Sequence, residues 1–504
     1  MKRKIVAMLC LALAVVFVFS ACRRPDPVAA RSGHIIAAHR GDIVSLDPHA
    51  TNDALSGNAN RQIYNALIRS TADLEFVGDL AESWVVLSPT EWQFNLRRGV
   101  RFHDGSRFTA SDVRFSLLRQ QTMPQVQHLV AFIADVRVID DYTVIIDTRT
   151  PVGPMLANLS HSATRILSES AVNRFGDRYA ENPIGTGPLK FVSWSPGNEV
   201  VLERFDDYFE GRPATERLTI RVIPEGTSRT IALETGEVDL ILEVEPVDKA
   251  RIEANSNLIL NERLSNRIEW LAFNFNTPPF DNRLVRHAIA YAINQADVLT
   301  VALDGRGDIA HSFTGPTVFG YNPEARTRPY DPARARQLLA QAGFPNGFAT
   351  TLWASGDIRA RAAQVVQANL AEVGIRANIE LLEWAAYLDR TGRGEHDLHV
   401  LGWANLTGDA DPGMFPLYHT RSMGAGGNRS FYSNPRVDAI LDQGRIETNM
   451  ARRLELYHEL HWILHEDLPI VPLFIQPVEI GHRVGLNGVE VHPGGLHLLH
   501  MLHY

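Results

Sequence analysis

The residues LRRGVRFHDG at positions 96–105, followed by TASDV at 109–113, form the most distinctive pattern in a sequence of 504 residues. Asp104 and Gly105 are a pair that favours a tight turn. Thr109 and Asp112 stand three residues apart, as in a capping box, and apolar residues at helical spacing follow them. This stretch therefore predicts a turn that leads directly into a helix.

Strands and helices alternate on both sides of this stretch. Short runs rich in β-branched residues predict strands at 142–146, 218–223 and 470–475. Asp331, Pro332 and Gly343 supply a cap, a first-turn proline and a terminal glycine for a helix at 333–342. The pattern indicates an α/β chain.

A further helix runs directly into a strand in the second half of the chain. Apolar residues between Ala362 and Val373 share one helical face, the helix stops at Gly374, and a strand follows at 375–381. Such alternation is typical of a sheet covered by helices, and sheets of this kind bind ligands in their crevices.

Blocks along the whole mature chain resemble the family-5 extracellular solute-binding proteins of bacterial ABC transporters, which include dipeptide-, oligopeptide-, glutathione- and nickel-binding proteins. Besides the stretch at 96–113, the blocks are LDP at 46–48, YNAL at 64–67, LAESW at 80–84, GTGP at 185–188, GEVD at 236–239, RHAI at 286–289, YAI at 291–293 and AQAGF at 340–344. We interpret most of these blocks as structural. In GTGP, for example, glycine would supply backbone conformations that other residues avoid.

The resemblance implies an α/β, two-lobed periplasmic-binding-protein-like fold of type II, cluster C, with mixed sheets and an enlarged first lobe. The first lobe would join residues 32–265 with a return segment at 477–504, and the second would occupy 266–476. Crossing segments near 270–276 and 472–477 would form a hinge. Closure around a solute would create the surface that the permease transmembrane subunits read.

The N-terminus predicts export. Lys2, Arg3 and Lys4 precede an apolar run at 5–19, which is too short to span a membrane and typical of a signal peptide over residues 1–21. Ser20 and Ala21 before Cys22 resemble a lipobox, so we expect lipidation of Cys22 and a tether at 22–31. Phe19 replaces the usual leucine and keeps ordinary signal-peptidase cleavage open.

Composition narrows the function. A net charge of −9 with scattered acidic residues argues against nucleic-acid binding. The second cysteine, Cys10, lies in the removed segment, which excludes thiol catalysis. We expect a monomer without cofactor or metal, with a soluble body on the periplasmic or extracytoplasmic face that contacts the membrane only through the lipid.

The loop GWANLTGDADP at 402–412 occupies the place from which ligand contacts come in the resembling family. Trp403 would supply an apolar wall, Asn405 and Thr407 would supply donors and acceptors, and Asp409 or Asp411 would pair with an ammonium. For Asp411 we favour a cap on a helix that begins at Pro412.

Leu406 stands where dipeptide binders have an acidic residue, which widens the solute class from di- and oligopeptides to glutathione-like, opine or nickel-chelate ligands. Further contacts implied by the resemblance come from aromatic, basic and first-lobe residues. They are Trp384, Tyr387, Arg359 (in preference to Arg361), Asn52, Asp53 and Leu55.

Two rival classes remain open. His458, His461 and His465 share one helical face, as a metal site requires, but Leu456, Leu460 and Leu464 favour the opposite face as the buried one, so we expect the histidines to face solvent. A secreted hydrolase is the rival from another class, although no nucleophile elbow, zinc helix or phosphate loop is present.

Overall fold

The structure is a computed structural model that describes residues 33–51, 53–405 and 407–504. The predicted signal peptide at 1–21, the tether with Cys22, Asn52 and Leu406 lie outside the described residues. The strands of the described part are β1 (His34–His39), β2 (Ile68–Ser70), β3 (Phe76–Gly78), β4 (Ala81–Ser88), β5 (Glu91–Leu96), β6 (Ile133–Asp140), β7 (Thr143–Thr148), β8 (Leu189–Ser195), β9 (Glu199–Arg204), β10 (Arg217–Val222), β11 (Leu240–Leu242), β12 (Leu258–Phe273), β13 (Asp308–Ile309), β14 (Ala349–Ala354), β15 (Arg376–Leu381), β16 (Leu398–Ala404) and β17 (Ile470–Arg483).

Helices are interspersed among these strands along the described part of the chain. They are α1 (Ala54–Ile63), α2 (Ala110–Gln120), α3 (Met155–Ser160), α4 (Glu169–Phe175), α5 (Gly226–Thr235), α6 (Pro246–Glu253), α7 (Arg283–Ala292), α8 (Gln295–Leu303), α9 (Pro332–Gln341), α10 (Asp357–Glu372), α11 (Trp384–Gly392), α12 (Ala410–Tyr418), α13 (Pro435–Ile446) and α14 (Met450–Asp467).

One long mixed sheet runs through the molecule in the order β15-β14-β16-β12-β17-β11-β1-β10-β9-β8, and β13 pairs with β17 off this path. A separate antiparallel sheet has the order β4-β5-β7-β6, and β2 and β3 form a short ribbon. The predicted strands and helices of the α/β pattern are present, and their ends lie within two residues of expectation except in β17, which continues from the predicted end at Ile475 to Arg483.

The long strands β12 and β17 pair antiparallel from Leu258 opposite Arg483 to Ala272 opposite Ile470. Their register breaks between the pairs Leu264–Pro477 and Ile268–Ile475. Residues 265–267 therefore bulge out of β12, and we call them the hinge bulge. The predicted lobe boundaries fall at this break, and the division of the chain there stays a prediction.

Hydrophobic clusters lie at both ends of this strand pair. Two clusters, drawn from residues between 268 and 475, form what we call the second lobe. The other three, which we call the first lobe, are drawn from residues 35–258 together with Ile480, Leu486, Leu499 and Leu502. The last residues of the chain thus pack beside its first strand, and the four-stranded sheet enlarges the first lobe.

The distinctive stretch folds as expected. Gly105 has a φ of +85°, as a tight turn requires, and the backbone N–H of Thr109 donates to Oδ2 of Asp112 at 2.9 Å in the capping box of α2. The reason given for the glycines of GTGP was wrong. A Cβ at Gly185 would lie 2.0 Å from the carbonyl oxygen of Ile63. Close backbone packing, and not an unusual φ, requires glycine there.

Candidate functional site

Parallel strands of the second lobe end at one edge of the sheet. β14, β15 and β16 end at Ala354, Leu381 and Ala404, and the last of these pairs with Arg267 in the hinge bulge. In the first lobe, β1 and β11 are parallel and β11 also ends on the hinge side. The carboxyl ends of both sets of strands therefore flank the hinge bulge, and such ends form ligand crevices.

The loop after β16 is held by its own hydrogen bonds. Asn405 donates from Nδ2 to the carbonyl of Asp409 at 2.6 Å and accepts at Oδ1 from Gly408 N–H at 3.0 Å. Its backbone N–H donates to the carbonyl of Asn266 in the hinge bulge at 3.1 Å. Asn405 and Thr407 are buried, so the predicted polar contacts lie in a rigid loop anchored to the hinge.

Asp409 forms a buried ion pair with a residue that the sequence did not single out. Both terminal nitrogens of Arg453 donate to its carboxylate, the Nη2 bond being 2.7 Å long, and Nη2 also donates to the hydroxyl of Tyr457 at 3.1 Å. The proposed pairing of Asp409 with a solute ammonium stays a prediction, but its charge is already met by Arg453.

The expectation that Asp411 caps the following helix was wrong. Helix α12 begins at Ala410, and its cap is Asp409, which accepts from the N–H of Asp411 at 2.9 Å. Asp411 lies in the first turn, buried, and pairs with Nε of Arg445 at 2.8 Å. Two aspartates at this spacing both suit a helix start, and each of them has an arginine partner.

Arg359 is held by a carboxylate in β12. Its Nε donates to Oε2 of Glu269 at 2.9 Å, and Arg267 of the hinge bulge donates to Oε1 at 2.7 Å. Burial of Glu269 would raise its pKa, but the two guanidinium groups hold that pKa below its usual value. A solute carboxylate at Arg359, as predicted, would have to compete with Glu269. Arg361 instead donates to the carbonyl of Ala302.

Aromatic residues after β15 form a platform. The rings of Trp384 and Tyr387 stack at 5.7 Å and 14°, and the guanidinium of Arg359 lies 5.2 Å from the Trp384 ring centroid. Tyr387 is fully buried and donates its hydroxyl to the carbonyl of Val400 at 2.7 Å, whereas Trp384 is 44% exposed. Only Trp384 of this pair presents a free apolar surface.

A small cavity adjoins the loop after β16. It has a volume of about 20 Å³ and is lined by residues including Trp403, Asn405, Asn266 and Thr314. The Nδ2 of Asn266 and the hydroxyl of Thr314 are buried without a hydrogen-bond partner among the described residues. A cavity of this size and polarity suits one water molecule.

The first-lobe residues occupy the start of α1. Asp53 caps this helix by accepting from the N–H of Ser56 at 2.9 Å, and Leu55 is half-buried and packs near Gly41. Asn52 and Leu406 lie outside the described residues. Asp53 therefore has a local role in the helix, and Leu55 is left as an apolar contact at this position.

Loops of the two lobes meet across the crevice. The N–H of Gly153 donates to the carbonyl of Arg445 at 2.7 Å, and the N–H of Asn266 donates to the carbonyl of Pro493 at 3.0 Å. A Cβ at Gly408 would lie 3.1 Å from the side chain of Leu74. The lobes are therefore in contact through residues 153 and 445 and through residues 74 and 408.

The prediction that the α14 histidines face solvent was wrong for His461 and His465, which are buried. Nδ1 of His461 hydrogen-bonds the hydroxyl of Ser312 at 2.9 Å, and His465 contacts Arg328. The segment from Ser312 to Arg328 packs on the face of α14 opposite its buried leucines. Among the described residues no group of three or more His, Cys, Asp or Glu could hold a metal ion. Within the same described residues, no helix combines the length and hydropathy of a membrane span.

The chain is similar to known proteins over nearly its whole length. The family model described as bacterial extracellular solute-binding proteins, family 5 middle, matches residues 75–425. Identity is 32% over 485 residues with the glutathione-binding protein GsiB of Pectobacterium atrosepticum, covering 94% of each chain. It is 31% with heme-binding protein A of Haemophilus influenzae, covering 88% of this chain and 86% of that one.

Solved structures extend the likeness to the fold. The periplasmic binding protein DppA of Helicobacter pylori, in complex with the peptide STSA, matches with a TM-score of 0.83 at 29% identity. The match covers 94% of this chain and 99% of that one. It confirms the predicted two-lobed α/β fold with mixed sheets.

Proposed function

The chain belongs to the family-5 bacterial extracellular solute-binding proteins, and from that premise we propose that it captures a peptide-like solute between its lobes and delivers it to the permease of an ABC importer. One observation carries the proposal. The carboxyl ends of β14, β15 and β16 carry the exposed ring of Trp384 and flank the hinge bulge together with the ends of β1 and β11. A crevice at strand ends, closed by hinge motion, suits a small solute.

We assign the contacts of this crevice to side chains at the strand ends and at the start of α1. Trp384 and Trp403 supply apolar surface, Leu55 supplies a further apolar contact from the first lobe, and the loop of Asn405 and Thr407 supplies polar groups. We propose Asn52 as a polar contact of the same crevice. These groups suit a guest with a peptide-like mixture of amide and apolar parts.

Asp409 and Arg359 receive a different role in this proposal. Each already forms a buried ion pair, with Arg453 and Glu269, and removal of a partner would leave an uncompensated buried charge. We therefore propose that they hold the loop after β16 and the start of α10 in place. The charged ends of a solute would then be met by other groups.

The proposed solute is a di- or oligopeptide, and the alternatives are glutathione-like, opine or nickel-chelate ligands in the same transport role. The relatives support this range, since one is named for glutathione and another was solved with a peptide. A secreted hydrolase is the least supported alternative, because the family is one of binding proteins, and we propose that the chain has no enzymatic activity.

Export and anchoring complete the proposal. We propose that residues 1–21 are removed, that Cys22 is lipidated, and that the chain acts as a monomer on the periplasmic or extracytoplasmic face. The permease subunits would contact the closed form. Mass spectrometry of the mature N-terminus separates lipidation from ordinary cleavage, because an acylated Cys22 and an unmodified terminus differ in mass.

Ligand-induced stabilisation tests the proposed function. A purified chain from residue 23 onward is screened by thermal shift against di- and tripeptides, glutathione, opines and nickel–histidine, because a ligand that binds only the folded state raises Tm. Calorimetry then gives Kd for Trp384→Ala, which should bind at least about tenfold more weakly. The matched control is Trp462→Ala on α14, since Trp462 is equally exposed at 44%.

Stabilisation by no compound of the panel would contradict the proposed solute range. Equal losses of affinity in the two tryptophan variants would contradict the position of the crevice. Turnover of any peptide that disappears with a single carboxylate substitution would favour the hydrolase.

A further inference from the structure

A buried arginine with two unsatisfied nitrogen atoms, as judged among the described residues, lies inside the first lobe. Arg61 is on α1 and is only 7% exposed, and its Nε and Nη2 are buried without a hydrogen-bond partner among the described residues. Burial, followed by the charge of Arg165, lowers the pKa of Arg61 to about 9. A buried guanidinium with free donors is unfavourable unless an anion meets it.

The second cation beside it is Arg165. Its Nε donates to the carbonyl of Ser162 at 3.3 Å, its Nη1 lies 3.9 Å from Oδ2 of Asp79, and its Nη2 is buried without a partner among the described residues. The charges of Arg165 and Asp79 both act on the pKa of Arg61, and the charge of Asp79 acts on the pKa of Arg165. The pair thus brings donors on two guanidinium groups together.

Too little negative charge surrounds them. Asp79 is the buried carboxylate of the cluster, and it is already engaged, accepting from Nδ2 of Asn65 and from the N–H of Ala66, each at 2.8 Å. Its pKa is raised by burial. The other carboxylate that acts on Arg61 belongs to Glu490, which is exposed. Among the described residues, the two buried cations therefore share one buried carboxylate.

Helix α1, which carries Arg61, is linked to the hinge bulge through the return segment. Helix α1 packs on one side against Ser162, which a Cβ at Gly57 would approach to 3.1 Å, and on the other against the return segment, where Asn58 donates to Gly495 at 3.1 Å. The same return segment accepts the N–H of Asn266 at Pro493. Burial lowers the pKa of His492 to about 3, and the charges of Arg61 and of Arg263 in β12 act in the same direction. The helix that carries Arg61 is therefore connected to the hinge bulge through the return segment.

We propose that Arg61 and Arg165 form a receptor for a carboxylate of the solute. The inference rests on the proposed function and narrows it to solutes with an acidic end or side chain that reaches into the first lobe. Arg61 supplies free N–H donors of a planar fork, the geometry that matches a carboxylate. The position complements the second lobe, where Arg359 is already paired with Glu269.

The test compares acids with their neutral counterparts. Wild type and Arg61→Met are titrated with free-acid peptides, glutathione and non-peptide carboxylic acids, and with the amide or methyl ester of each. Loss of a charge-assisted hydrogen bond changes Kd by about 10- to 100-fold. Wild type should therefore prefer the acid by at least about tenfold, and the variant should bind both forms alike.

Two further variants separate recognition from folding. Arg61→Lys should keep a preference for acids, whereas Arg69→Gln is the matched control, because Arg69 is a neighbouring cation already paired with Glu210 at 2.7 Å. Removal of an uncompensated charge should leave the Tm of ligand-free Arg61→Met equal to or above that of wild type. A structural arginine would instead lower this Tm and leave the acid preference intact.

The outcomes are distinguishable from a failure of the proposed function. Equal binding of acid and amide by wild type overturns the receptor while solute capture stands. Binding of non-peptide acids alone, weakened in Arg61→Met, contradicts a peptide solute and supports the receptor. An acid preference that survives in both Arg61→Met and Arg165→Met overturns the receptor.

Discussion

Replacing Asp409 with asparagine isolates the charge of a buried ion pair. Asparagine still caps α12, so the helix start is retained. Arg453, which is fully buried, would keep its bonds to the carbonyl of Gly444 at 2.8 Å and to Tyr457, but would lose its carboxylate. Breaking a buried pair by removal of one partner lowers the free energy of unfolding by about 3–5 kcal/mol.

The comparison is with Asp411→Asn, two residues further on. Arg445, its partner, is 41% exposed and can be solvated when the carboxylate is lost, so that loss should be about 1 kcal/mol. Chemical denaturation at pH 7, followed by tryptophan fluorescence, measures both variants. On heating, Asp409→Asn should lower the Tm of the second-lobe transition by about 6–20 °C, at about 2–4 °C per kcal/mol for a unit of this size.

If Asp409→Asn lowered the free energy of unfolding no more than Asp411→Asn does, the reasoning would be refuted. Burial of Arg453 without its carboxylate would then carry no penalty. Arg453→Met combined with Asp409→Asn serves as the second check. The double variant removes the whole charge pair and should recover part of the stability.

Three further changes have calculable outcomes. Tyr387→Phe removes the hydrogen bond to the carbonyl of Val400 and should lower the free energy of unfolding in urea by about 1 kcal/mol. Its Kd for the solute should stay unchanged because the exposed Trp384 ring remains, and weaker binding would show that Tyr387 also contributes to the site. Gly402→Ala would bring a Cβ to 2.2 Å from Oε1 of Glu269 and should lower the free energy of unfolding by about 1–3 kcal/mol. An unchanged denaturation midpoint would mean that Glu269 can move aside. Burial lowers the pKa of His461 to about 3. The imidazole therefore stays neutral in the folded chain, whereas in the unfolded chain it takes up a proton below about pH 6.5. The stability that this group supplies is present above pH 6.5 and is lost as the pH falls towards 3. His461→Gln should therefore reduce the slope of the unfolding free energy against pH between pH 4 and 6 by up to about 1.4 kcal/mol per pH unit, with His503→Gln as the control. An unchanged slope in His461→Gln would contradict the lowered pKa.

Local signals in the sequence predicted local structure well. Asp331 caps α9 by accepting from the N–H of Arg334 at 2.8 Å, and Thr109 and Asp112 begin α2 as expected. These features depend on residues three or four positions apart, which a single sequence displays directly. The alternation of strands and helices likewise predicted a covered sheet.

Pairings between distant residues could not be predicted in this way. The partner of Asp409 is Arg453, 44 residues away, and the partner of Arg359 is Glu269, 90 residues away. His461 was misassigned because helical periodicity identifies one buried face, whereas α14 also packs against Ser312 on another. The burial of Arg61 could not be predicted from the sequence, because arginine is rarely buried and nothing near it in a short helix indicates an exception.

The order in which the chain is synthesised has a consequence for folding. Leu486, Leu499 and Leu502 complete the same hydrophobic cluster as Ile35, so the first lobe lacks part of its core until residues 486–502 have been synthesised. The second lobe draws its core from a continuous stretch and is available for folding earlier. A chain that ends at residue 476 should therefore retain a protease-resistant fragment from the second lobe alone, and resistance of both lobes would contradict this order.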